Sequence, residues 1–126
     1  MDFSFSKDEK LKSKKVIDSL FSNGKSVAKY PLRLVYIEAT DEQKVPLKMG
    51  VSVSKKHFKH AVDRNYFKRV LRECYRLNKN ILIPNLNKKY SAMFFYQTSD
   101  RLSYQEISDK TIQLFDKFLK TIQEEK

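Results

Sequence analysis

Tryptophan is absent from the 126-residue chain, cysteine occurs once, glycine twice and proline three times. A lone Cys74 excludes an internal disulfide framework and suits a reducing compartment, so a cytoplasmic protein is expected. So little glycine and proline leaves no flexible linker, and no repeat or low-complexity tract interrupts the sequence. The opening "MDFSFSKDEKLKSKK" has no apolar run of signal-peptide length, and no segment approaches a membrane span. Length and composition, 33% charged and 40% hydrophobic, predict one folded domain over residues 1–126, with residues 1–10 loosely ordered.

Negative charge is also scarce. Against 26 Lys and Arg stand 15 Asp and Glu, giving a net charge of +11 and a pI near 9.7. The acids fall in dispersed pairs, Asp8-Glu9, Asp41-Glu42 and Glu124-Glu125, which do not converge as a protein-only magnesium nuclease would require. His57, His60 and Cys74 fall short of a closed zinc site. The two histidines have no orienting partners at a spacing that suggests acid–base work. No catalytic residue, no metal ligand and no protein-held cofactor are therefore expected.

What the chain does have is positive charge in one place. From Lys55 to Lys79 nine basic residues stand against Asp63 and Glu73, a net +7. Such crowding destabilises a fold unless a polyanion neutralises it. On a helical wheel from Val62 to Lys79, Tyr66, Phe67, Val70, Leu71, Cys74 and Leu77 share one arc. Arg64, Asn65, Lys68, Arg69, Arg72, Arg76 and Lys79 share the other. Four of these six cations are Arg, whose rigid fork matches phosphate oxygens better than Lys. This predicts a helix with one side in a core and the other against nucleic acid. A membrane partner would instead need a bulky apolar face left free for lipid.

The remaining pattern reads as mixed α and β. Residues 13–23 form a helix capped by Ser13 and stopped at Asn23-Gly24. "YPLRLVYIEA" alternates as a strand, with "DEQKVP" as a hairpin-like connection to a second strand, "LKMGVSVSKK". In that strand Leu47, Met49, Val51 and Val53 form the apolar face. Lys48, Gly50, Ser52 and Ser54 form a small polar face that runs into Lys55 and Lys56, a floor on which a nucleic-acid strand could lie. "NILIPNLNKKY" reads as a loop and "YSAMFFYQ" as a strand covered on much of both faces. A last helix opens with the capping box Ser103/Glu106 and buries Ile107, Leu114, Phe118 and Ile122. The expected fold is a single-domain α+β sandwich of order α-β-β-α-β-α, with room for an extra short strand.

"RNYFKRVLRE", Arg64 to Glu73, following "GVSVSKK", Gly50 to Lys56, resembles the bacterial ribonuclease P protein family. The resemblance runs from about Leu11 to Leu119 and includes "LFSNGKSV" after the first helix. The family usually has Arg-Asn-Arg where this chain has Arg64-Asn65-Tyr66. The resemblance implies a cytoplasmic protein that joins a large catalytic RNA to remove the 5′ leader from precursor tRNA. Mg²⁺ would then be held mainly by RNA. It also implies a mixed sheet with a left-handed β-α-β crossover around the basic helix. By the same resemblance Arg64, Asn65, Lys68, Arg69 and Arg72 face the catalytic RNA, and the wheel adds Arg76 to them. The resemblance also places Ile17, Phe21, Tyr36, Lys55 and Lys56 at a leader cleft, with Ile17 where the family often has an aromatic; the polar strand face adds Ser52 and Ser54. Two other readings stay open on residues alone. A ribosomal or general RNA-binding module shares the charge, without needing this floor beside this helix. A DNA-reading helix-turn-helix would want a short preceding helix, where the chain has a strand and "KKHFKHAV"; DNA is not the expected partner.

Overall fold

Seven elements follow one another in a computed structural model that describes residues 9–40 and 42–124. They are α1 (Lys14–Asn23), β1 (Lys25–Lys29), β2 (Leu32–Glu38), β3 (Leu47–Val53), α2 (Ala61–Leu82), β4 (Tyr90–Tyr96) and α3 (Tyr104–Glu124). A single 3-10 turn, Ile83–Asn85, follows α2. The extra short strand is β1. Ser13 caps α1 through its hydroxyl, which accepts the Val16 N–H at 3.4 Å. The helix stops at Gly24, whose N–H still reaches the Leu20 carbonyl at 2.9 Å. A Cβ on Gly24 would lie 2.2 Å from that oxygen and 2.8 Å from Val35 Cγ1, so only glycine lets the chain leave α1 this close to β2. At α3 the capping box forms as expected: the Glu106 N–H donates to Ser103 Oγ at 3.2 Å, and the Ser103 N–H to Glu106 Oε1 at 3.4 Å.

The four strands lie in the order β1-β2-β4-β3. β1 and β2 form an antiparallel hairpin, β2 and β4 are antiparallel, and β3 and β4 are parallel neighbours joined through α2. The expected hairpin between β2 and β3 does not exist, because β4 occupies the place between them. "DEQKVP" is instead a crossing loop held by Gln43. Its side-chain amide donates to the carbonyls of Val45 (2.9 Å) and Tyr90 (3.0 Å), and its Oε1 accepts from the buried Ser91 hydroxyl (3.0 Å). Turn-residue patterns report local chain reversal and do not reveal a strand inserted later in the sequence.

The register sorts side chains onto two faces. Leu32, Leu34 and Tyr36 share one with Ala92, Phe94, Tyr96, Leu47 and Met49, under α2 and α3; this is the main core. Arg33, Val35 and Ile37 share the other with Met93, Phe95, Gly50 and Ser52. There α1 and Leu11 cover only part of the sheet, through a small cluster of Leu11, Leu20 and Met93. Leu20 is 1% exposed, and burying such a side chain contributes about 1.5–3 kcal/mol.

α2 departs from expectation in two ways. It runs past Lys79 to Leu82, taking in residues read as loop, and ends just before Pro84. Its buried sector is also turned relative to the wheel. Tyr66 and Leu77 are 43% and 38% exposed, while Tyr75 and Leu82 are fully buried and Lys79 is 6% exposed. Two neighbours cause this: Phe67 stacks on Tyr96 of the sheet at 4.6 Å, and Tyr75 meets Phe115 of α3 edge-on at 6.3 Å. A wheel drawn from one helix's residues does not reveal that the helix is covered from both directions.

Lys79, placed by the wheel on the outer face, instead donates to both oxygens of the Glu9 carboxylate, at 2.9 and 3.1 Å. Next to it Lys10 pairs in parallel with Met49, and the Leu11 N–H donates to the Met49 carbonyl at 3.2 Å. Of the segment expected to be loose, Glu9 is therefore tied to α2 and Lys10 to the outer edge of β3; residues 1–8 lie outside the described residues. No helix among the described residues is long and apolar enough to cross a membrane.

Candidate nucleic-acid interface

Two charged or aromatic surfaces meet near β3. The first is the outer side of α2. Asn65, Arg69 and Arg72 are exposed there, about one turn apart, with Lys68 half-buried beside them. None of these four has a hydrogen bond or ion pair among the described residues, so their donors remain available. Arg76 differs. Its guanidinium binds Glu73, with Nε 3.2 Å from Oε2 and a second, shorter contact from Nη2, and this bond holds the Glu73 carboxyl below its usual range. Arg64 differs more. It folds back, and its Nη1 donates to the carbonyls of Phe58 at 2.9 Å and Lys59 at 2.7 Å. Those carbonyls close the turn that leads into α2, so the side chain placed on the outer face by sequence also clamps the segment before it.

That segment carries Lys55 and Lys56. β3 ends at Val53, and the N–H groups of His57 and Phe58 both reach the Ser54 carbonyl at 3.1 Å. The Lys56 N–H donates to Ser54 Oγ at 3.0 Å, giving the Ser54 hydroxyl a local role in the turn. Phe58 is buried and stacks on Phe67 at 4.8 Å, and Arg101 lies over both rings at 5.7 and 5.6 Å while pairing with Asp63 at 3.0 Å. The two lysines are thus exposed side chains on a turn anchored in the core.

The second surface is the cleft between α1 and the sheet. Phe21 is 65% exposed and meets Phe95 edge-on at 6.1 Å. Ser52 lies beside Phe95 in register, and Ile17 packs into the small cluster under α1. A 310 Å³ hollow at the closed end is lined by Lys10, Lys12, Ile17, Gly50 and Arg72 among others, so α2 reaches round the β3 edge to the cleft. Gly50 itself is no open floor. A Cβ there would lie 3.0 Å from the Met93 side chain and 3.4 Å from Leu11 Cβ, which pack over it. Tyr36 does not belong to the cleft. It is 2% exposed on the opposite face, edge-on to Phe118 at 4.7 Å and Tyr90 at 5.9 Å. One residue of offset along a strand reverses the face, and Val35 takes the cleft side.

The family model described as ribonuclease P matches residues 5–119. The chain belongs to the ribonuclease P protein family. It is 41% identical over 102 residues to the ribonuclease P protein component of Porphyromonas gingivalis, covering 79% of this chain and 74% of that one. The Clostridium botulinum protein of the same description is 34% identical over 113 residues, 88% of this chain and 95% of that one. Among solved structures, the ribonuclease P protein of Thermotoga maritima shares the fold with a TM-score of 0.70 at 20% identity, covering 86% of this chain and 96% of that one. The Staphylococcus aureus protein gives the same score at 19% identity, over 86% and 93%.

Sequence reading of this ribonuclease P protein missed two cleft residues, Phe95 and Arg33. Phe95 sat in a run apolar at nearly every position, where period-two alternation gives no face. Arg33 stood alone between Leu32 and Leu34, outside the basic cluster. Only the register Arg33↔Phe95↔Ser52 across β2, β4 and β3 brings them into one row.

Proposed function

We propose that this chain is the protein subunit of ribonuclease P, acting in 5′-end maturation of tRNA with the RNA as catalyst. The observation that carries this reading is the outer side of α2. Among the described residues the side chains of Asn65, Lys68, Arg69 and Arg72 have no partner, and Arg72 adjoins the cleft beneath α1. These cations suit the phosphates of a structured RNA, which contribute salt-dependent affinity. The catalytic RNA occupies that side. The unpaired leader of precursor tRNA enters the cleft, stacking at Phe21 with Ser52 beneath it and Lys55 and Lys56 on its phosphates. Ile17 supports α1 from the cluster below. Arg64 and Arg76 contribute by holding the turn and the helix surface in shape.

Among the described residues no group of three or more His, Cys, Asp or Glu could hold a metal ion; Asp8, Asp41 and Glu125 lie outside them. In this proposal Mg²⁺ is bound through RNA. Burial pushes the Cys74 thiol up to about 11, which keeps it protonated at neutral pH.

The tests follow directly. Protein freed of RNA should leave precursor tRNA intact in Mg²⁺, and specific 5′ cleavage by it would remove the claim that the RNA is the catalyst. Phe21→Ala should weaken holoenzyme affinity for precursor tRNA about tenfold, the value of one lost stacking contact, with mature tRNA unaffected. Because Phe21 is largely exposed, the melting temperature should hardly change. Equal losses for precursor and mature tRNA would instead make Phe21 a packing residue.

A further inference from the structure

A row of side chains crosses the open half of the sheet at right angles to its strands. Ser52 on β3, Phe95 on β4 and Arg33 on β2 are direct neighbours in register, all half-buried, on the face that α1 covers only in part. Phe21 stands at the side of this row through its contact with Phe95. Lys55 and Lys56 lie just past the β3 end. At the other end Arg33 is held in place, Nε donating to Gln97 Oε1 and Nη1 to Ser26 Oγ, both at 3.2 Å. These two bonds use neutral acceptors, and no carboxylate among the described residues pairs with the guanidinium. A charge fixed by neutral neighbours at the end of an aromatic row is a phosphate contact in waiting.

We propose that single-stranded RNA crosses the sheet along this row, from Lys55 and Lys56 over Ser52 and Phe95 to Arg33. Phe95 is then a second stacking platform and Arg33 the far phosphate anchor. The inference rests on the reading of the cleft as a leader site and adds its direction and reach. Two inter-strand steps of ~4.8 Å separate β3 from β2. That is about three nucleotides at a stacked spacing of ~3.4 Å. With the catalytic RNA on the α2 side, next to β3, Arg33 at the far end meets a nucleotide farther from the cleavage site than those at Lys55 and Lys56. The position of Phe95 also answers the aliphatic Ile17: the sheet supplies a second aromatic beside Phe21 of α1.

The experiment uses holoenzyme reconstituted with its catalytic RNA and precursor tRNAs whose leaders are shortened one nucleotide at a time. Arg33→Ala should lower affinity about tenfold for long leaders, the scale of a charge-assisted bond. The loss should disappear once the leader is too short to reach β2, and Arg33→Lys should restore much of the affinity. Phe95→Leu, which keeps an apolar group under α1 but has no ring face, should lose about fivefold to tenfold at intermediate leader lengths as well. The Phe21→Ala loss should persist at leader lengths where the Arg33 effect has gone. Arg33 losses independent of leader length, or no loss at all while Phe21→Ala still discriminates precursor from mature tRNA, would overturn the crossing path alone. Absence of leader dependence in all three variants would overturn the leader cleft with it. Thermal melts of each variant separate binding losses from unfolding: a Phe95→Leu loss matched by a large fall in melting temperature would make Phe95 a packing residue and overturn its stacking role.

Discussion

Reversing two charges, Arg69→Glu with Arg72→Glu, should reduce affinity for the catalytic RNA about a thousandfold. Each arginine lost removes a charge-assisted phosphate contact of roughly 1.5–3 kcal/mol, and each glutamate adds repulsion. The slope of log affinity against log salt should flatten by about two, one for each neutralised phosphate. The fold should be unaffected, since both side chains are exposed and neither has an internal partner. Binding measured across a salt series, beside a thermal melt, checks all three statements. Unchanged affinity would place the RNA elsewhere, and a collapsed melting transition would show that the outer side of α2 is needed for folding.

Phe67→Ala should have the largest effect on stability, about 3–5 kcal/mol, as for other large aromatics removed from a core. Phe67 is 1% exposed and packs against both Phe58 and Tyr96, which also touch each other, with Arg101 above it. The cavity would undercut Phe58 and so the turn that bears Lys55 and Lys56. Denaturant unfolding measures the first effect. A loss below about 1 kcal/mol would mean the three-ring stack can close over the gap.

Much of this architecture was legible in the residues, for identifiable reasons. Ser13, the Ser103/Glu106 box and the stripe Ile107, Leu114, Phe118 and Ile122 are local signals, and each acts in the structure as its spacing implies. The basic helix was legible because charge and apolarity separate on a wheel. Several hidden features depend on parts of the chain distant in sequence, while those at Arg64 and Tyr36 are local. Lys79 looks like one more outward cation until Glu9 is seen beside it. Arg64 matches a nucleic-acid motif, yet its guanidinium also finds the carbonyls of Phe58 and Lys59. Tyr36 was assigned to the cleft by its motif position, although its own alternation with Leu32 and Leu34 already put it on the core side. Phe95 and Arg33 became site candidates only through pairing of β4 with both β2 and β3.

The late insertion of β4 has a consequence for how the protein comes off the ribosome. When synthesis has passed Val53, β2 and β3 both exist, but neither has a neighbour on its inner edge. Their common partner, Tyr90–Tyr96, is made only after the whole of α2. During that interval the nascent chain displays two unpaired strand edges and a strongly basic helix. Non-local pairing of this kind is slow to nucleate and open to wrong partners while it waits. The same positive charge that suits the finished protein to RNA keeps such nascent chains apart by mutual repulsion until the central strand arrives.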